Sequence, residues 1–345
     1  MGKYDCVILY NPANISQFEG SEEKIYPANV LREEVGAIEE SLRAGGFSPC
    51  VLAADQFSRE LVQTLARLAP KFIFNLCEEI NGSSELEMCV AGLLDLMGIP
   101  YTGSGPVSLG LALNKFRAKQ LLRSAGVPTP RGFLSSAGTF RPPRNMRLPV
   151  LIKPVHEDAS LGINSSSVCH DWKSAERQAG YIHEYYRQDA LTEEFLDGRE
   201  FNVTVFGKEP TVLAVSEIDF SGLPPGEPRI VSYRAKWDEE SPFFTGTKPI
   251  CPAPISKRIG RRLSQIALLS YRVVGCRDYA RVDMRMDHRG RCFVLEVNPN
   301  PDISPKAGVA RAARVAGYSY SDLILRIAQF ALERGSRVPA TVYAL

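Results

Sequence analysis

No uninterrupted apolar segment of this 345-residue chain is long enough to span a bilayer, and no basic stretch followed by an apolar run opens it. Neither a transmembrane helix nor a signal peptide is therefore expected, and a cytoplasmic location is the natural reading. Histidine is scarce: the four present show no H-x-x-H or H-x-x-x-H spacing, which argues against a histidine-ligated metal. The eight cysteines form no C-x-x-C pair and mostly sit in apolar runs, so free thiols are expected rather than a disulfide framework or a zinc site. An excess of one charge is also missing. A net charge of +2 gives no electrostatic case for nucleic acid or a membrane surface. Internal repeats and low-complexity tracts are absent.

What is present is a globular composition, 44% hydrophobic and 23% charged, on a chain long enough for two or three domains. The first hundred residues alternate strand and helix. "YDCVILY", "PCVLAA" and "KFIFNL" read as buried strands, separated by an amphipathic helix after Pro27 and another near Phe57–Leu68, with a further helix near Ser84–Met97. Strands alternating with helices predict a parallel sheet covered on both faces. "GIPYTGSGP" then breaks the chain and marks a boundary. A helix through "NKFRAKQLLRSAGVPTP" follows, then strands at "RGFLSS" and "PVLIKP", a polar loop at 155–167 and a helix near Asp171–Tyr186. From Ala190 the pattern changes to consecutive strands. A long polar stretch (219–253) precedes a helix near Ser256–Val274, and the chain closes with two strands and one helix over much of Ser304–Arg334.

The last two strands carry the chemistry. "YARVDMRM-DHRG-RCFVLEVN" reads as a β-hairpin around an Asp-His-Arg-Gly turn. Side chains alternate along a strand, so Arg281 and Asp283 share a face, as do Glu296 and Asn298. Pairing Met286 with Arg291 sets Arg281 opposite Glu296 and Asp283 opposite Val294, and sends Phe293, Leu295 and Val297 to the core. Two carboxylates and an amide oxygen then converge beside an arginine. Hard oxygen ligands suit magnesium, whose shell is usually completed by water and substrate phosphates. The simpler reading is a cross-strand ion pair between Glu296 and Arg281, which leaves Asp283 and Asn298 unexplained.

Lys153 ends the buried run "LPVLIKP" and needs an anion, either a phosphate or a carboxylate on a neighbouring strand. Lys115 opens a helix, where its charge opposes the dipole; taken alone it reads as solvated. Lys236, in "SYRAKW", reads alone as a surface residue.

Together these pieces resemble the D-alanine–D-alanine ligase branch of the ATP-grasp superfamily. The resemblance runs through "GIPYTGSG", "NKFRAKQLLRSAGVPTP", "PVLIKP", "TEEFLDGREFNV", "YRAKW", "ARVDM" and "LEVNPNPD", in the family's order. It implies an α/β (α+β) ATP-grasp architecture: an N-terminal α/β domain over 1–114, a central subdomain with a lid loop over 115–193, and a C-terminal subdomain with the metal site over 194–345. It further implies that Lys115, Lys153, Lys236 and Ser160 contact ATP phosphates. Glu193, Glu194, Phe195 and Leu196 would form the adenine hinge, and Glu200 would take the ribose hydroxyls. Asp283, Glu296 and Asn298 would hold two magnesium ions, with manganese able to substitute. Arg281 and Lys236 would stabilise charge during ligation of a small-molecule carboxylate to an amine through an acyl phosphate. The loops at 155–167 and 233–240 are the expected lid, and the resembled ligases are commonly homodimers.

The departures from the family gather where substrates bind. "EDAS" stands for Glu-Gly-Ser-Ser, so Glu157 and Ser160 remain while Asp158 replaces glycine and Ala159 replaces a serine. Trp237 replaces that serine's tyrosine partner, and Asp302 replaces a glycine. Asp302 either recognises an ammonium or caps a helix beginning near Ser304. Glu78, Glu79 and Asn81 either touch substrate or belong to a solvated loop in which Ser83 or Ser84 caps the next helix. Of Glu19, Glu22 and Glu23, none is singled out as a receiver of substrate ammonium. The expected activity is an ADP-forming carboxylate–amine ligase with a remodelled pocket. The alternatives are a D-alanine–D-alanine ligase using other residues, a non-catalytic nucleotide-binding protein, and a kinase of small alcohols.

Overall fold

The computed structural model describes residues 4–12 and 28–335, with side chains from residue 32 onward in the second stretch. The first part comprises β1 (Cys6–Tyr10), α1 (Ala28–Ala44), β2 (Pro49–Ala53), α2 (Arg59–Leu68), β3 (Phe72–Leu76) and α3 (Glu87–Leu96). The strands form a parallel sheet of order β2-β1-β3. Both faces are covered, as the apolar strands require. Cys6 and Ile8 point into one core, which includes Val35 and Ile38 of α1, while Val7 and Leu9 point into the other, with Leu65 and Leu94. Glu19, Glu22 and Glu23 lie outside the described residues.

Next come α4 (Pro106–Leu113), α5 (Lys115–Ser124), β4 (Gly132–Ser135), β5 (Val150–Pro154), β6 (Val168–Cys169), α6 (Trp172–Tyr181) and β7 (Ala190–Glu194). The four strands make an antiparallel sheet of order β4-β7-β5-β6. Ala175 and Ala179 of α6 pack on Val150 and Ile152 behind it.

The rest consists of β8 (Glu200–Phe206), β9 (Thr211–Asp219), α7 (Tyr233–Trp237), α8 (Pro242–Thr245), β10 (Lys248–Ile250), α9 (Lys257–Val274), β11 (Tyr279–Met286), β12 (Cys292–Asn298), α10 (Gly308–Val315) and α11 (Tyr320–Gly335). Its sheet has the order β10-β9-β8-β11-β12. Phe201, Val203 and Val205 of β8 and Val282, Met284 and Met286 of β11 meet Leu263, Ala267 and Tyr271 of α9 in one core. Helix α11 returns to the beginning of the chain, where Leu323, Ile324 and Ile327 share a core with Ile8, Phe72 and Phe74. No helix among the described residues is long and apolar enough to cross a membrane. All eight cysteines are free, and Cys89 is exposed rather than buried.

Two sequence expectations need correction. The closing helix is two helices, α10 and α11. Gly317 adopts φ +91 after α10, and Ser319 and Asp322 then cap each other's backbone N–H groups to start a new helix. The hairpin register also differs. Met286 pairs with Cys292, Arg285 with Phe293 and Met284 with Val294; a bulge follows, so that Asp283 faces Glu296 and Arg281 faces Asn298. The extra residue is Leu295. It reverses the alternation, sending Val294 and Val297 to the core and leaving Phe293 and Leu295 half-buried. Glu296 and Asn298 still reach the same face as Asp283, because the bulge re-aims them.

Candidate active site

The two antiparallel sheets and the loops of the N-terminal sheet enclose a cleft of about 1450 Å³. One wall comes from β8, β11 and β12. Period two puts Glu200 and Asn202 of β8 on the same face as Arg281, Asp283 and Arg285 of β11. The strand register sets Arg285 opposite Glu200 and Asp283 opposite Asn202. Arg285 Nη1 lies 3.0 Å from Glu200 Oε2, and Asn202 Nδ2 donates to Asp283 Oδ1 at 2.7 Å. Arg281 donates twice to Asp283, at 2.8 and 2.9 Å, and Asn298 Nδ2 donates to Asp283 Oδ2 at 3.0 Å. The simpler cross-strand pairing of Arg281 with Glu296 is not what forms: Arg281 grips Asp283 bidentately, a geometry that suits guanidinium.

Glu296 is held by lysines instead. Its nearest cation is Lys115 Nζ at 3.8 Å. Burial works against its charge, but Lys115, Lys153 and Arg281 outweigh it and bring the carboxyl down to about 2. Asp283 moves the other way, because burial and the charge of Glu296 raise it against the pull of Arg281. Glu200 is pushed up to about 7, chiefly by burial, despite Arg285.

The facing wall comes from β5, β7 and α5. Lys153 is buried and lies 3.3 Å from Glu193 Oε2, on the strand next to its own. The neighbouring carboxylate is thus its observed partner. Glu193 also takes Lys119, one turn into α5, on both oxygens, and the pair is almost wholly buried. We take this carboxylate as ionised: burial opposes its charge, yet Lys119 and Lys153 hold it below its ordinary value. Burial and Lys153 pull Lys119 down at the same time, to about 7.

Lys115 is not solvated. It starts α5 after the cap Asn114, is buried, and donates to the Glu157 carbonyl at 2.5 Å and to Asp158 Oδ1 at 2.6 Å. Burial disfavours its charge, but Asp158 and Glu296 more than compensate and its pKa rises.

Lys236 is likewise no surface residue. It sits on α7, lines the cleft, and lies 4.9 Å above the Trp237 ring. Burial and then Arg281 lower its pKa. Tyr233 N donates to the Ile163 carbonyl and Trp237 Nε1 to the Ala159 carbonyl, both at 3.0 Å, so the two expected lid segments are joined. Ser160 and Glu157 line the cleft; Glu157 Oε1 accepts from Gln188 at 2.7 Å.

Residues 193–196 are not among those lining the cleft. The N–H groups of Glu194 and Phe195 are spent on the carbonyls of Arg131 and Pro149. The Phe195 ring lies 5.0 Å from the Arg285 guanidinium.

The N-terminal side contributes acids. Asn11 Oδ1 accepts from Glu78 N and Glu79 N and fixes that loop, so both glutamates line the cleft. Asn81 turns away and accepts from Phe57 N, and Ser83 makes no side-chain cap. Asp302 lines the cleft and accepts from Ser304 N at 2.7 Å, which caps a turn; the helix begins only at Gly308. Glu34 is buried opposite, accepting from Ile303 N, and burial followed by Asp302 and Glu78 drives it well above the carboxylate range. Asn300 Oδ1 accepts from Ser104 N, tying the glycine-rich boundary segment to the end of β12; a Cβ at Gly103, φ +84, would collide with that oxygen.

Among the described residues no group of three or more His, Cys, Asp or Glu is placed to hold a metal by itself. Asp283, Glu296 and Asn298 offer hard oxygens only. Such a set fits an ion whose remaining shell comes from water and phosphate, as magnesium prefers.

Sequence reading missed Arg285, Asn202, Lys119, Glu34 and the contact of Asp158 with Lys115. Arg285 and Asn202 had a signal, since each continues a period-two row already noticed. Lys119 had none, because a lysine on an amphipathic helix ordinarily reads as solvated.

A parallel α/β domain followed by two α+β subdomains closing on a cleft, lysines on one wall and carboxylates on the other, defines the ATP-grasp class. The family model "D-ala D-ala ligase C-terminus" matches residues 137–329. The D-alanine–D-alanine ligase of Nitrosomonas europaea is 32% identical over 85% of this chain and 92% of its own length. "Uncharacterized protein y4sG" of Sinorhizobium fredii is 36% identical over 79% of this chain and 81% of its own. A crystal structure of the Bacillus anthracis D-alanine–D-alanine ligase complexed with ATP superposes with a TM-score of 0.73 at 19% identity, covering 96% of this chain and 98% of that one. The chain belongs to the D-alanine–D-alanine ligase family.

Proposed function

We propose that this protein is an ADP-forming carboxylate–amine ligase with at least one substrate other than D-alanine. The observation that carries the reading is the meeting of Asp283, Glu296, Asn298 and Arg281 on one wall with Lys153 on the other, and with Lys115 buried behind Asp158 at 3.8 Å from Glu296. Carboxylate oxygens, an arginine and buried lysines across one cleft are the parts that phosphoryl transfer to a carboxylate needs, where catalysis is chiefly positioning and charge stabilisation.

In this reading Lys115, Lys153 and Lys236 bind the phosphates of ATP, Glu200 binds the ribose, and adenine lies toward residues 193–196. Asp283, Glu296 and Asn298 would hold magnesium, which when bound offsets charge on the transferred phosphoryl group. A substrate carboxylate oxygen attacks the γ-phosphorus and ADP leaves, giving an acyl phosphate. The amine then attacks the acyl carbon, and inorganic phosphate leaves as the amide forms. Arg281 stabilises the charge on the acyl oxygen. The joined segments at 155–167 and 233–240 keep water from the acyl phosphate.

The altered pocket rests on Ala159, Trp237 and Asp302. Trp237 offers a broad apolar face where a larger substrate can pack. Asp302 and Glu78 line the substrate side and suit an ammonium group, whose charge would offset the burial that raises Glu78 to about 7. The test is ADP release with ATP and magnesium, comparing D-alanine alone with mixed panels of carboxylates and amines, with products identified by mass. Turnover on a mixed pair and none on D-alanine supports the reading. Strong dipeptide formation from D-alanine alone overturns the altered pocket.

A further inference from the structure

We infer that Asp158 is a nucleotide-displaced gate, a carboxylate on the lid that competes with nucleotide phosphate for the ammonium of Lys115. The inference rests on reading the cleft as a nucleotide site.

Lys115 is the fixed partner. It is the first residue of α5, its N–H donates to the Val155 carbonyl, and its side chain is 4% exposed. Asp158 is the movable one, 53% exposed on the lid loop. The two groups touch at 2.6 Å. Asp158 lines the cleft and Lys115 does not, so an anion reaching Lys115 from the cleft meets the carboxylate first. A phosphate oxygen and a carboxylate cannot both sit against one ammonium without repelling each other at short range.

The loop that carries Asp158 is held in a conformation it would not choose. Ala159 has φ +55 and Ser160 has φ +65, two successive left-handed positions without glycine. Such backbone persists only where its surroundings fix it. Among the contacts that fix it are Lys115–Asp158 on one side and, on the other, Trp237 Nε1 to the Ala159 carbonyl and Tyr233 N to the Ile163 carbonyl. Displacing Asp158 removes the first and leaves the loop tethered through Tyr233 and Trp237 to α7, which carries Lys236. Nucleotide binding is thereby coupled to the lid: phosphate takes Lys115, Asp158 swings free, and the segment bearing Lys236 moves with the loop.

The experiment is equilibrium titration of the wild-type protein and of Asp158→Asn and Asp158→Glu, each with a non-hydrolysable ATP analogue and separately with adenosine. Losing the competing charge makes the analogue bind about tenfold tighter to Asp158→Asn, the size expected when one charge-assisted contact no longer has to be broken. Adenosine, which has no phosphate, binds both proteins equally, and Asp158→Glu keeps the weaker analogue affinity. Equal analogue affinity in wild type and Asp158→Asn overturns the gate, and so does an equal shift for both ligands, which marks a general change of the cleft. A wild-type protein that binds neither ligand overturns the nucleotide reading itself, and the gate with it.

Discussion

The indole Nε1 of Trp237 donates a 3.0 Å hydrogen bond to the backbone carbonyl of Ala159, across the gap between the two lid segments. In the resembled ligases a tyrosine and a serine occupy these positions. With serine lost, alanine has no side chain to accept a bond, and the longer indole reaches the backbone instead. The link survives while both side chains change, and the polar groups of the old pair are absent from the pocket. That combination supports the proposed change of substrate.

Trp237→Phe keeps the apolar bulk and removes the donor. A hydrogen bond of this kind contributes about 1 kcal/mol, roughly a fivefold change in the open population of the lid. Limited proteolysis within residues 157–163 should quicken by that factor, and ATP hydrolysis uncoupled from ligation should rise. Unchanged cleavage would mean that the contact between Tyr233 N and the Ile163 carbonyl alone secures the lid.

The parts of this site legible in the sequence are those governed by local periodicity. Arg281 with Asp283, and Glu296 with Asn298, share a face because strand side chains alternate, and the surrounding valines and methionines fix which face is buried. The partners across strands were not legible. Asn202 meets Asp283 and Glu200 meets Arg285 only because β8 and β11 pair in one register, about eighty residues apart in the chain. The bulge at Leu295 carries no glycine or proline to announce it. Nor does a sequence say that Lys119 on α5 turns inward to Glu193, since that needs the place of β7 behind the helix. The fold was legible to a greater extent, because alternating strands and helices and then consecutive strands identify the architecture, whereas the split between α10 and α11 at Gly317 is a local event inside a continuous helical pattern.

Glu296→Gln is the sharpest test of the metal-site assignment. Glutamine keeps shape and one oxygen but loses the charge that Lys115, Lys153 and Arg281 stabilise. Turnover should fall by at least about 100-fold, as expected when a charged group at a phosphoryl-transfer centre is removed, with the circular dichroism spectrum unchanged. An active variant with normal magnesium dependence would remove Glu296 from the metal site.

Lys119→Met leaves the buried Glu193 with Lys153 alone. Breaking a buried ion pair from one side costs about 3–5 kcal/mol when the other charge is left uncompensated. Lys153 still faces Glu193, so urea denaturation should show a smaller loss than that. Glu193→Gln in the same protein should recover none of it, because the amide leaves the buried Lys153 without its carboxylate. A double variant more stable than Lys119→Met would mean that Lys153 does not rely on Glu193.

Glu200 makes stability depend on pH in a direction opposite to that of most carboxylates. Its carboxyl is pushed up to about 7 from an ordinary value of 4.5, chiefly by burial, so between those values the folded protein holds a proton that the unfolded chain has released. Stability from this group is fully present below about pH 4.5 and is lost as pH rises through 7. At about 1.4 kcal/mol per unit the full shift would exceed 3 kcal/mol, and relaxation around the Arg285 pair reduces it to about 1–3 kcal/mol. Glu296, held at about 2, acts in the other sense: its contribution is present above pH 4.5 and disappears only as pH falls toward 2. The two windows do not overlap, so denaturation at pH 5 and pH 8 leaves Glu296 out; Glu34, Glu78 and Glu87 are also raised by burial, and the difference between wild type and a Glu200 variant separates Glu200 from them. Glu200→Gln, which keeps an acceptor for Arg285, should flatten the decline between those pH values. If wild type and variant lose stability in parallel, Glu200 is ionised throughout and Arg285 outweighs its burial.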